Sequence, residues 1–234
     1  MRKITLLGLG LAFIAGTALA SNTGFKLNYP LFWSMTKSHN NWVSVPYFYF
    51  PNGNVGQTPQ NSVDFCKDLN GGTSPTKVAY AIRYNSALDQ PKTQNCGTTI
   101  KAFDLVAGEG YSIKPIIPGI TIDLVGSHDD TFAPNKNGSP TVGTYPLVFT
   151  AGKSQNNWFS VPYHSKANNS IDVCTQFAAQ TGSKVPFFIR YNSALDQPKT
   201  QNCGTTIKAF DLVPGEGYSV KPATTGLKVG LDVY

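Results

Sequence analysis

Short stretches in which apolar and polar residues alternate recur along the chain, and most of them occur twice. Val78, Tyr80, Ile82 and Tyr84 alternate with Ala79, Ala81 and Arg83, the period-two pattern of a half-buried strand. Trp42-Val43-Ser44-Val45 predicts a shorter strand stopped by Pro46. Ile120, Ile122 and Leu124 alternate late in the first half of the chain, and Leu227, Val229 and Leu231 match them late in the second. Thr98–Val106 and Tyr111–Lys114 flank Gly108-Glu109-Gly110, where glycines reach positive φ without a Cβ clash, and predict a hairpin. Helical spacing is confined to one segment per half. Ile171, Cys174, Phe177 and Ala178 share a face behind Ser170 as the predicted cap, and Ser62, Val63, Cys66 and Leu69 repeat that pattern. The fold class is mainly β with one short helix per domain.

Alignment of the chain with itself organises these elements. Ile82–Pro115 and Ile189–Pro222 agree at 32 of 34 positions, and Lys26–Tyr47 agrees with Val142–Tyr163 at 12 of 22. The offset is 116 in front and 107 behind, so the first copy holds nine extra residues. They fall in Phe48–Asn61, whose Pro, Gly, Asn and Gln predict a surface loop. Each copy holds a full set of elements, giving β repeat domains at 25–127 and 142–234, joined by a linker at 128–141 rich in Asn, Pro, Gly and Ser. Repeats of this length have room for their own cores, which predicts two tandem beads rather than a stacked solenoid.

The first residues predict export. Arg2 and Lys3 precede an uncharged apolar run from Ile4 to Thr17, and Ala18-Leu19-Ala20 has the small residues of a signal-peptide cleavage site, so residues 1–20 read as a signal peptide. The run is short for a membrane span, and no integral membrane segment is expected after cleavage. A transmembrane barrel is disfavoured because Tyr234 is out of phase with Leu227, Val229, Leu231 and Val233. Without Arg2 and Lys3, 17 basic side chains face 13 acidic ones, the lysines are scattered, and Arg83 and Arg190 are the remaining arginines. That mild, dispersed charge excludes a nucleic-acid partner, which needs clustered cations.

Four cysteines stand at equivalent positions, Cys66 and Cys96 in one copy, Cys174 and Cys203 in the other. In an exported chain this predicts one disulfide per domain, whereas a metal or haem site needs the close pairing of C-x-x-C. No cofactor or metal is expected. Arg83 and Arg190 lie in the same Ile-Arg-Tyr-Asn; each could grip a ligand, or pair with a carboxylate of its own copy such as Asp89, Asp104 or Glu109. The Gly-Glu-Gly-Tyr segments precede a strand-like, Pro-terminated run and so do not predict a phosphate loop.

The succession Asn-Asn-Trp-x-Ser-Val-Pro-Tyr, a short helix, Ile-Arg-Tyr-Asn and Phe-Asp-Leu-Val-Pro-Gly-Glu-Gly-Tyr resembles uncharacterised β-module repeats of exported bacterial proteins. In those, a Trp-containing strand opens the unit and a Pro-Gly-x-Gly-Tyr hairpin closes it. The resemblance spans nearly all of both copies and implies a secreted β module without implying a reaction.

Catalysis by the repeats would require machinery in both copies. His39 aligns with Gln155, His164 with Phe48, and His128 lies in the linker, so a shared Ser-His-Asp arrangement is excluded. Duplicated carboxylates (Asp64/Asp172, Asp89/Asp196, Asp104/Asp211, Glu109/Glu216) leave a secreted hydrolase as the remote alternative. The leading expectation is a non-catalytic structural or adhesive protein of the bacterial envelope or extracellular matrix, secreted, periplasmic or at the cell surface. Its partners would be itself, other envelope or matrix proteins, or polysaccharide. The alternative is a carbohydrate-binding module protein, with Tyr47, Tyr49, Phe50, Arg83, Tyr163 and Arg190 as candidate ligand-binding residues, because exposed aromatic faces stack on sugars. Trp42 and Trp158 are expected in the cores.

Overall fold

The computed structural model describes residues 25–45, 48–49, 61–106, 108–127, 145–163 and 165–232. The proposed signal peptide, the linker and most of the 48–61 loop lie outside the described residues. The first repeat comprises β1 (Phe25–Pro30), β2 (Asn41–Ser44), β3 (Phe48–Tyr49), α1 (Ser62–Asn70), β4 (Val78–Asn85), β5 (Gln90–Asn95), β6 (Gly110–Pro115) and β7 (Thr121–Ser127). The second comprises β8 (Tyr145–Pro146), β9 (Asn157–Ser160), α2 (Ser170–Thr181), β10 (Phe187–Asn192), β11 (Gln197–Asn202), β12 (Gly217–Lys221) and β13 (Lys228–Val229). Each repeat has an antiparallel four-stranded sheet, ordered β2-β6-β4-β5 in the first and β9-β12-β10-β11 in the second. A smaller sheet accompanies it, β1-β7-β3 or β8-β13, in a sandwich-like arrangement.

Among the described residues the chain is mainly β, with two tandem repeats and one helix in each. Each repeat also has its own core. Val43, Phe65, Val78, Ile113 and Leu124 are sealed in the first, and Phe159, Val173, Phe188, Val220 and Leu231 in the second. Disulfides Cys66–Cys96 and Cys174–Cys203 tie each helix to the end of the neighbouring strand, with Cα atoms 5.2 and 5.1 Å apart.

Several local expectations shift. The helix caps are Asn61 and Asn169, whose side chains accept from the backbone N–H groups two and three residues on, one position before the predicted serine. The serines instead tie the helices to a distant loop, since Ser62 and Ser170 accept through Oγ from Phe103 N and Phe210 N. The hairpin partner of β4 is the polar β5, and residues 98–106 form turns rather than a strand. Gln-Pro-Lys-Thr-Gln-Asn escapes pattern reading because β5 is an edge strand that buries only Gln94, while Pro91 and Lys92 guard the open edge. A bulge between Val78 and Tyr80 reverses the phase of β4, so Ala81 is sealed in the core and Tyr80 is exposed.

Candidate functional site

The repeats are not separate beads. The N-terminal ends of β6 and β12 each lie against the opening strand of the other repeat, through antiparallel bridges Glu109 to Phe159 and Val43 to Glu216. Ser44 N donates to Gly215 O at 2.8 Å and Ser160 N to Gly108 O at 2.9 Å. The same serines donate through Oγ to Glu216 O at 2.6 Å and Glu109 O at 2.7 Å. The Ser-Val-Pro and Gly-Glu-Gly motifs thus meet twice, related by an approximate two-fold.

Trp42 and Trp158 fall at this seam instead of in the cores. Tyr191, Trp42, Trp158 and Tyr84 form one ladder of rings, with successive centroids 5.3, 5.0 and 5.4 Å apart and members drawn alternately from the two repeats. All four are half-buried. The Asn-Asn dipeptide sets the strand that carries each Trp. Asn41 Oδ1 accepts from Phe32 N at 2.7 Å while its Nδ2 donates to Phe32 O and His39 O, and Asn157 does the same with Val148 and Gln155.

A carboxylate clamp closes each end of the ladder. Asp89 accepts from Ser154 N at 3.0 Å, and its other oxygen accepts short hydrogen bonds from Ser154 Oγ and Tyr84 OH. Asp196 repeats this with Ser38 and Tyr191. These hydroxyl and amide donors favour the ionised form, holding the Asp89 carboxyl at about 2 and lowering that of Asp196 as well.

Arg83 and Arg190 make the ion pairs weighed for them. Arg83 Nε lies 2.8 and 3.0 Å from the two Glu109 oxygens, and Arg190 Nε lies 2.8 Å from Glu216 Oε1. Both glutamates are buried, and desolvation raises their pKa against the opposing pull of the arginines. A cleft of about 450 Å³ opens beside the first pair, lined by Arg83, Tyr84 and Lys92 of the first repeat and Tyr145, Pro146 and Val148 of the second. Tyr163 is exposed and away from this cleft. Tyr47 and Phe50 lie outside the described residues, and of Tyr49 the backbone alone is described, pairing with Gly126.

Sequence reasoning missed the Ser38/Ser154, Tyr84/Tyr191 and Asp89/Asp196 clamps. The signal was present in the near-identity of Ile82–Pro115 and Ile189–Pro222, which exceeds what two separate cores of differing composition require. Compared with known protein families, curated proteins and solved structures, the chain matches none.

Proposed function

We propose that this chain is an exported, non-catalytic structural or adhesive protein of the bacterial envelope or extracellular matrix. The observation carrying this reading is how the duplicated polar residues are used. Asp89 and Asp196 clamp the other repeat, Glu109 and Glu216 neutralise arginines, and Asp172 accepts from Asn168 N beside its helix. Two of the four duplicated acid pairs, Asp89/Asp196 and Glu109/Glu216, are thereby committed to joining or bracing the repeats. The two disulfides suit an oxidising compartment outside the cytoplasm. No helix among the described residues is long and apolar enough to cross a membrane.

Fractionation of the native host, with intact-mass measurement of the recovered protein and of whatever co-purifies, tests the proposal. Export, loss of residues 1–20 and recovery in an envelope or matrix fraction support it. A cytoplasmic protein with free thiols would refute it. Carbohydrate binding is the second reading, and the inter-repeat cleft is the feature that favours it.

A further inference from the structure

The seam cleft offers hydrogen-bond donors that the fold does not use. Of the Arg83 guanidinium only Nε is engaged, by both oxygens of buried Glu109, and its two terminal nitrogens make no hydrogen bond among the described residues. The side chain is 33% exposed. Gripped from the Nε side, the guanidinium is held in one plane and turns its outer edge to the cleft, a fork of N–H donors matched to a carboxylate. Glu109 cancels the arginine's charge, and Lys92 then leaves the cleft with net positive charge; its Nζ is steadied by donating to Ala102 O at 2.8 Å. Asn85, on the same rim, accepts from Leu88 N through Oδ1, and its amide nitrogen has no partner among the described residues.

The remaining wall is a ring. Tyr84 stacks on Trp158 and lines the cleft as well, together with Pro146 and Val148. A flat apolar surface beside converging donors fits a hydroxylated ring better than an extended peptide. A volume of about 450 Å³ has room for a sugar residue or two.

We infer that this cleft binds a uronic-acid residue of an acidic polysaccharide, its carboxylate on the outer edge of Arg83 and its ring against Tyr84. The second repeat has the same residue types at the equivalent positions Arg190, Tyr191, Asn192 and Lys199, with Phe32 in place of Val148, but there Arg190 and Lys199 line a different depression beside Asn169, Phe210 and Asp211, so the inference concerns the first cleft. This goes beyond the structural reading, since a structural protein needs no such site. The cleft can fail its test while localisation still supports that reading, and the reverse also holds.

The test is calorimetric titration of the full, disulfide-bonded chain with trigalacturonate at low ionic strength, beside neutral maltotriose and trialanine. Saturable binding of trigalacturonate at least about tenfold tighter than either control is expected, the margin of one charge-assisted bidentate contact. Ala87→Trp, on an exposed turn that lines the cleft, should fill it and lower affinity about tenfold or more at unchanged melting temperature, as lost ring and donor contacts require. Arg83→Lys with Arg190→Lys keeps a charge beside each glutamate, removes the fork, and should weaken binding similarly. Absence of saturable binding, equal binding of maltotriose, tighter binding of trialanine, or full affinity in the folded tryptophan variant would each overturn the inference.

Discussion

Gly217 lies so close to the backbone of Val43 that a Cβ at residue 217 would stand 2.8 Å from the Val43 carbonyl oxygen and 2.9 Å from its amide nitrogen. Gly110 stands in the same relation to Phe159, at 2.9 and 3.0 Å. Neither glycine has positive φ, so the requirement comes from the approach of the other repeat and not from a turn. In each case the obstructing atoms are backbone, which cannot swing aside.

Gly217→Ala should therefore loosen the seam while sparing both cores. We expect a loss of roughly 1–3 kcal/mol, the usual cost of overpacking. Hydrogen exchange checks the location: Ser44 N–H and Ser160 N–H should lose protection well before the amides of β4 and β10.

Truncating Trp158 to Ala removes the middle of the ring ladder. Because Trp158 is half-buried between Trp42 and Tyr84, the cost should fall below the roughly 3–5 kcal/mol of a fully buried aromatic. Near-ultraviolet circular dichroism should report lost ring coupling while the second disulfide stays formed. Failure of the second repeat to fold would show that this ring belongs to the core after all.

Acid should open the clamps late. In the unfolded chain Asp89 titrates near 4, and in the folded chain at about 2, so its contribution is fully present above about pH 4 and is lost as pH falls toward 2. Glu109 works the other way, since burial raises its pKa and protonation on acidification favours the folded chain. A carbon-detected NMR titration should place the Asp89 midpoint near 2, and Asp89→Asn should abolish the loss between about pH 4 and 2 that this residue causes.

Peptide mapping of protein expressed in an oxidising compartment should find Cys66 joined to Cys96, Cys174 joined to Cys203, and no free thiol. Each bridge closes a loop of about 30 residues and should stabilise its repeat by roughly 3–4 kcal/mol in the chain-entropy model. Reduction should accordingly lower the melting temperature in two steps if one bridge opens before the other.

A fragment of residues 140–234 should retain its core and bridge and dimerise. It carries both halves of the seam, with Ser154, Trp158 and Ser160 on one side and Tyr191, Asp196 and Gly217 on the other. Such a surface is self-complementary about a two-fold. Sedimentation should give a concentration-dependent dimer that Gly217→Ala weakens; a monomer at all concentrations would contradict the equivalence of the repeats.

Much of this was local and therefore readable. The helix is legible because Cys174 and Phe177 share a face, the strands because Ile120, Ile122 and Leu124 alternate, and the bridges because equal cysteine positions in two copies allow few sensible pairings. The Trp residues were misplaced for a reason of the same kind. A large ring beside Val43 and Ser44 looks like core when the burying surface is supplied by residues more than a hundred positions away. Asp89 likewise looks like a solvated turn acid until Ser154 is brought to it.

The repeat, the β character, the helix and the disulfide frame follow from hydrophobic period and residue identity, which act over a few neighbours. Folding in three dimensions adds that the repeats lock together, that Gly110 and Gly217 are seats for a foreign backbone, and that Arg83 is held by Glu109 through Nε while lining a cleft. Those facts depend on distances between segments remote in the chain, which no periodicity encodes.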